Sequence, residues 1–108
     1  SGSIDVGILS NIADESVAEL LGHIKAKRFT DMRKWVAQNV DNDPVKLFRK
    51  IYDKLYEVLE PQSIPQAVII IADYSYKSAF VVDQEVNIVA CLTELMMEFL
   101  VSQTTGQD

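Results

Sequence analysis

Three side chains have the chemistry for acid–base or nucleophilic work: His23, Asp73 and Cys91. The chain contains one histidine and one cysteine, and the cysteine lies within an apolar segment. One imidazole and one thiol on separate segments supply neither the ligands of a zinc site nor a nucleophile beside its base. Asp73 follows an apolar run, so we expect it to be partly buried in an ion pair or hydrogen bond. These patterns favour structural roles over catalysis.

Phosphate chemistry is not indicated either. The sequence has four glycines and contains no Gly-x-x-x-x-Gly-Lys-Ser/Thr loop, so it has no sequence signature of a nucleotide cradle. We therefore predict that this chain is not an enzyme and that it holds no catalytic, cofactor-binding or metal-binding residue. An enzyme that uses Asp73 and His23 remains the weakest alternative.

Charge and hydropathy limit the partners of the chain. Sixteen acidic residues against ten basic ones give a net charge of -6, which repels nucleic-acid phosphate. The longest apolar run, residues 67–72, is far below the roughly 18 residues that a membrane span requires. No signal peptide is recognisable. These observations predict a cytoplasmic domain with protein partners and no membrane association.

The elements that position these residues are predicted to be helices. Ser16 and Glu19 fit a capping box at the start of the first, and Asp83 is a favourable cap for the last. Apolar residues then recur at i, i+3, i+4 and i+7. The five predicted segments cover residues 17–24, 29–40, 45–59, 64–80 and 83–101.

The fourth segment is ambiguous. Residues 67–72 are mostly β-branched, which is typical of a buried strand. Ser63 and Gln66 form a second capping box, and Pro65 falls in the first helical turn, where it is tolerated. A strand here would also have no second strand to pair with. The segment is therefore predicted to be a helix, and the fold to be all-α.

The fifth segment is apolar around most of its circumference. A helix of this kind is either the central one of its domain or is covered by a partner protein. The fourth segment is also apolar in its first half, and its second half adds aromatic residues of the types favoured at interfaces. One face of the fifth segment contains Val86, Val89, Thr93, Met96 and Leu100, and another contains Ile88, Leu92, Leu95 and Phe99.

Two motifs in these segments resemble a known family. Residues 70–77 (Ile-Ile-Ala-Asp-Tyr-Ser-Tyr-Lys) and 83–92 (Asp-Gln-Glu-Val-Asn-Ile-Val-Ala-Cys-Leu) are similar to the C-terminal collar domain of clamp loader small subunits. This is the replication factor C family with its T4-like phage relatives. Lys77 stands where the cellular proteins often carry arginine. Residues 17–40 resemble the first collar hairpin, in which Phe29 and Trp35 would pack between the helices.

The resemblance covers residues 15–100 and implies an architecture and a role. The expected fold is an all-α, five-helix, collar-type orthogonal bundle. In the family, N-terminal AAA+ domains bind ATP and magnesium, and the collars associate into a ring. That ring holds together the complex that loads the sliding clamp onto primer–template DNA. The implied partners are other clamp loader subunits, in homo- and hetero-oligomers, whereas the clamp and DNA would be contacted through the other domains.

We predict three parts of the chain. Residues 1–13 would be a cloning remnant and the tail of a linker, residues 14–102 the collar domain, and residues 103–108 a frayed tail. On the phage interpretation, the compartment is the cytoplasm of an infected bacterium. The alternative is a free-standing helical adaptor or regulatory protein that binds a partner peptide or helix. The residues predicted to contact neighbouring subunits are Tyr74, Tyr76, Phe80, Ile88, Cys91 and Met97.

Overall fold

Apolar residues at helical spacing build five α-helices. The computed structural model describes the backbone of residues 12–107 and the side chains of residues 12–98, and within that part all regular structure is helical. The predicted all-α, five-helix fold is confirmed. The helices are α1 (Asp14–Lys25), α2 (Phe29–Asn39), α3 (Pro44–Val58), α4 (Ile64–Lys77) and α5 (Gln84–Gln107), and a 3₁₀ turn at Pro61–Ser63 precedes α4.

One hydrophobic core joins all five helices. Helix α5 packs against α1, α2, α4 and the 3₁₀ turn, and α3 packs against α1 and α4. Each helix contributes at least one buried side chain to the same cluster; examples are Val17, Met32, Phe48, Ile71 and Leu92. Helix α5 therefore occupies a central position, which was one of the two interpretations of its wide apolar surface.

The β-branched run in α4 is divided between the two sides of that helix. Ala67, Ile70 and Ile71 are buried against the core, whereas Ile69 is exposed. This spacing of three and four residues is the period of a helix and not of a strand. In the described residues this segment packs against neighbouring helices and has no strand to pair with. Its side chains therefore follow the helical period.

Trp35 links the first two helices through its indole. Its Nε1 lies 3.0 Å from both the carbonyl oxygen and the Oγ of Ser16, and donates to them. Helix α1 begins at Asp14, before Ser16, so the predicted capping box at Ser16 is wrong. Phe29 was expected to pack beside Trp35, but it is 44% exposed, whereas Trp35 is buried.

The caps of α4 and α5 differ. Ser63 makes no side-chain capping bond and is buried in the 3₁₀ turn, so the second predicted capping box is also wrong. Asp83 is confirmed as a cap, since its Oδ1 accepts a hydrogen bond from the Val86 N–H at 3.1 Å. Pro65 lies in the first turn of α4, where its missing N–H costs no helical hydrogen bond.

Helix α1 ends in a tight reversal. The Arg28 N–H donates to the His23 carbonyl at 2.9 Å and the Lys27 N–H donates to the Ile24 carbonyl at 3.1 Å. This pair of bonds is the Schellman motif, which requires a left-handed residue directly after the helix. Lys27 takes that conformation, with φ of 64°. The reversal brings α2 back against α1.

The predicted boundaries need adjustment at both ends. Ile12 is buried in the core, so the folded part begins before residue 14. Helix α4 ends at Lys77 instead of residue 80, and α5 continues to Gln107 instead of ending near Val101. Of residues 1–13, which were predicted to be a remnant and linker tail, residues 1–11 lie outside the described residues, as does Asp108.

Candidate interaction surface

Helix α4 presents an apolar stripe to solvent on the side opposite its buried residues. Pro65, Ile69, Ala72 and Tyr76 follow one another at i, i+4, i+7 and i+11, and all four are exposed. Ile69 is 62% and Tyr76 69% exposed. Phe80, in the turn after α4, extends the stripe, because its ring centroid lies 5.0 Å from that of Tyr76. We call these five residues the outer stripe.

An apolar groove runs beside the outer stripe, between α3 and α4. It is a shallow depression, largely open to solvent, with a volume of about 390 Å³, and Arg49 and Ser75 also contribute to it. The Arg49 guanidinium lies 5.2 Å from the centroid of the Tyr52 ring, a cation–π distance. This groove, which we call the α3–α4 groove, is lined chiefly by Val45, Phe48, Tyr52, Val68, Ile71 and Ala72.

The other side of α3 carries a charged cleft of about 610 Å³. Lys50 Nζ lies 2.8 Å from Asp14 Oδ1, and this hydrogen bond, with the lysine charge, lowers the pKa of Asp14. Arg49 pairs with Asp53 at 3.1 Å. Because Val45 and Arg49 line both the cleft and the α3–α4 groove, the two features adjoin along one ridge of α3.

Polar contacts join α4 to α5. The Tyr74 hydroxyl donates to the Glu94 carboxylate, and the Asn87 side chain donates to the Tyr74 carbonyl at 3.1 Å. The hydrogen bond to Glu94, followed by burial, raises the pKa of Tyr74 to about 12. Lys77 lies 4.6 Å from the Tyr74 ring centroid and 3.0 Å from an Asp73 carboxylate oxygen. This network holds Tyr74 between the two helices.

A second exposed apolar stripe lies on α5. Val86, Ala90, Thr93 and Met97 follow one another at i, i+4, i+7 and i+11. Val86 is 62% and Met97 58% exposed, and the two residues between them are partly exposed. These four residues, the α5 stripe, lie on the opposite side of the helix from buried Ile88 and its neighbours.

The six residues predicted to contact other subunits separate into three groups. Tyr76, Phe80 and Met97 are exposed. Tyr74 is partly buried in the network with α5. Ile88 and Cys91 are fully buried in the core of their own chain, so their placement at a contact surface is corrected: α1, α2 and α4 already cover that side of α5.

Sequence reasoning missed three contributors to the exposed surface: Ile69, Val86 and Val45. Ile69 was counted within an apolar run, Val86 was placed on a face of the fifth segment, and Val45 was only the first residue of the third predicted segment. All three are more than half exposed. The signal that identifies them is their position around the helix relative to the buried residues. Only the packed structure reveals that position.

The three residues considered for catalysis make contacts that suit structural roles. His23 Nδ1 accepts from Arg28 Nε at 3.3 Å, and His23 Nε2 lies 3.6 Å from Glu19. Asp73 is exposed, so the expectation that it is partly buried is wrong, although it does form an ion pair with Lys77. Burial raises the pKa of the Cys91 thiol, which keeps it protonated and unreactive.

Within the described residues, no group of three or more His, Cys, Asp or Glu side chains is arranged to hold a metal ion. Over the same part of the chain, no helix is both long enough and apolar enough to cross a bilayer.

Comparison with known proteins adds no family assignment. No protein-family model, no curated protein and no solved structure matches this chain. The functional argument therefore depends on the residues and their geometry.

Proposed function

We propose that this chain is a protein-interaction domain, and specifically the collar of a phage-type clamp loader small subunit. The single observation that carries the interaction role is the outer stripe. Ile69 and Tyr76 on one side of α4, and Phe80 in the turn after it, are each more than 60% exposed, and they adjoin the apolar α3–α4 groove. Contiguous apolar surface of this kind is typical of a site that a partner protein covers.

The collar assignment adds a parent assembly to that role. It is supported by the resemblance of residues 70–77 and 83–92 to clamp loader collars, which extends over the helices from α1 to α5. In such a parent, ATP and magnesium would be bound by AAA+ domains outside this sequence. The collar would hold subunits together while those domains act on the clamp and DNA.

The reading frame upstream of Ile4 in the parent gene tests the collar assignment. A Gly-x-x-x-x-Gly-Lys-Ser/Thr loop followed by AAA+ sequence supports a clamp loader subunit. An initiator methionine directly before Ile4 removes that assignment and leaves the interaction role.

The interaction role is tested in the full protein by replacing Ile69 and Tyr76 with serine. Both side chains are exposed, so the double variant should keep the helical content and unfolding midpoint of the wild type. Its oligomer mass by light scattering should fall relative to the wild type. A matched control is Lys34→Ser with Gln38→Ser on exposed positions of α2, which should leave the mass unchanged. Unchanged assembly of the Ile69/Tyr76 variant would remove the outer stripe as the contact.

The adaptor alternative is favoured by a different observation, the α3–α4 groove. A groove between two helices with apolar walls is one of the common sites for an amphipathic peptide or helix. The same upstream reading frame separates the two candidates, because an adaptor needs no ATPase domain.

A further inference from the structure

We infer that the turn between α1 and α2, together with the exposed face of α2, binds the phosphate backbone of duplex DNA. This activity goes beyond the proposed function, whose contact surface lies on α4. The surface is built from five exposed cations, which we call the basic turn: Lys25, Lys27, Arg28, Arg33 and Lys34.

The basic turn concentrates the positive charge of an acidic chain. Residues 25–34 contain five of the ten lysines and arginines and a single carboxylate, Asp31. Their net charge is therefore +4, and because the whole chain carries -6, the other residues carry -10. Charges more than about 10 Å away are largely screened at 0.1 M salt, so the local charge dominates what binds here. The repulsion of phosphate that the net charge predicts is thus reversed at this end of the molecule.

Most cations of the basic turn are not neutralised within the chain. Arg28 lies 3.4 Å from Asp31, and its Nε donates to His23. The other four make no ion pair with any described residue. On α3, by contrast, three of the four cations pair with carboxylates. The basic turn therefore has charge available for an anionic partner, and α3 has little.

Helix α2 presents this charge on a convex face. It packs against α1 and α5, and its buried residues are Met32, Trp35 and Val36. The exposed face contains no carboxylate and consists of two rows, Phe29, Arg33 and Ala37 beside Thr30, Lys34 and Gln38. Arginine, lysine, threonine and glutamine side chains all donate hydrogen bonds to phosphate oxygens. The 11 residues of α2 span roughly 16 Å, and the major groove of B-DNA, about 12 Å wide, admits an α-helix.

Shape and composition favour duplex DNA over other anionic partners. An acidic polypeptide would need an apolar groove or anchor pocket. The depression beside α2 is instead small, about 240 Å³, and has Glu19 and Asp31 in its walls. A single strand or a lipid surface would require several exposed aromatic or apolar side chains, whereas Phe29 is the one large apolar side chain exposed on α2. The major groove of A-form RNA is too narrow for side chains to read.

Fluorescence anisotropy with a labelled duplex of about 20 base pairs measures this binding. Four phosphate contacts predict that the logarithm of the affinity falls with the logarithm of the salt concentration with a slope of about -3.6. The affinity of the wild-type chain should therefore fall roughly 150-fold between about 50 and 200 mM salt. A wild-type chain that does not bind the duplex at the lower salt concentration would overturn the inference.

A charge-removing variant locates the site. Arg33→Gln with Lys34→Gln changes exposed positions, so circular dichroism and the urea midpoint should match the wild type. At low salt the variant should bind the duplex at least about tenfold more weakly, and its salt slope should be smaller by about two. The matched control is Lys46→Gln with Arg49→Gln on exposed positions of α3, which changes the net charge equally and should keep the wild-type slope. Equal weakening by both variants would show a net-charge effect and overturn the site.

Competition distinguishes duplex DNA from other anions. At equal concentrations of negative charge, unlabelled duplex should displace the probe more effectively than a single strand of the same sequence or poly-glutamate. Equal displacement by poly-glutamate would indicate an acidic polypeptide partner, and stronger displacement by the single strand would indicate single-strand binding; either result overturns the inference. The Ile69→Ser, Tyr76→Ser variant should bind the duplex like the wild type, so failure of this inference and failure of the proposed function are scored separately.

Discussion

Ile88 and Val86 show how finely burial is divided along α5. They are two residues apart, yet Ile88 is fully buried and Val86 is 62% exposed. A separation of two residues is about 200° around a helix, so the two side chains lie on nearly opposite sides. Both side chains are apolar, so only the packing of α1, α2 and α4 against one side of α5 distinguishes them.

Ile88→Asp should therefore destabilise the fold instead of weakening a contact between subunits. An unpaired carboxylate in the core should cost about 4 kcal/mol. Urea unfolding followed by far-ultraviolet circular dichroism measures the loss. Val86→Asp is the matched control, and it should change the free energy of unfolding by less than about 0.5 kcal/mol because the position is exposed. Equal losses in both variants would contradict the assigned orientation of α5.

Tyr74 couples the stability of the fold to alkaline pH. Its pKa rises from 10.0 to about 12 in the folded chain, chiefly because its hydroxyl donates to Glu94. A raised pKa means that the contribution of this group is complete below pH 10 and is lost as the pH rises through about 12. The free energy of unfolding of the wild type should thus fall with pH in that window.

Tyr74→Phe should remove this part of the decline. Urea unfolding of the variant and the wild type across the pH range from 10 to 12 measures the difference in slope. Glu94→Gln, which keeps an acceptor but removes its charge, should also reduce the slope. Identical slopes in wild type and Tyr74→Phe would mean that the hydroxyl titrates alike in the folded and unfolded chains.

At the scale of the elements, the ends of the helices are determined partly by local chemistry and partly by neighbours. Asp83 caps α5 through a local bond to Val86, and this cap was predictable from residue type and position. Ser16 has the same chemistry, but its hydroxyl accepts from the Trp35 indole on the neighbouring helix. A contact over this separation in the chain is invisible to a local capping rule.

The reversal after α1 offers a stabilising substitution. Lys27 occupies the left-handed position of a Schellman motif, where a residue with a Cβ is disfavoured and glycine is not. Lys27→Gly should raise the free energy of unfolding by about 1 kcal/mol. Lys25→Gly, inside the last turn of α1, is the control and should lower it by up to about 1 kcal/mol. Urea unfolding distinguishes the two, and a destabilised Lys27→Gly chain would contradict the assigned backbone.

At the scale of the whole molecule, a single core connects every helix. Helix α5 contacts α1, α2 and α4, and α3 is joined to it through α1 and α4. Every helix packs against at least two others, so a helix that left the core would expose apolar residues on its neighbours. Such connectivity favours one cooperative unfolding transition.

Two probes should therefore report the same transition. The fluorescence of buried Trp35, the only tryptophan, follows the contact of α2 with α1, and far-ultraviolet circular dichroism follows all five helices. Their urea midpoints should coincide. A fluorescence midpoint clearly below the circular dichroism midpoint would show that the α1–α2 pair unfolds separately.

The sequence by itself determined the fold class and most helix positions, because apolar spacing and turn residues act locally. It also identified Tyr76, Phe80 and Met97 as candidate contact residues, and all three are exposed. Only the tertiary structure decided which apolar side of α4 and α5 faces the core, because a helix apolar on two sides has no local preference between them. That choice buried Ile88 and Cys91, left Ile69 and Val86 in solvent, and formed the groove between α3 and α4 from residues that lie far apart in the chain.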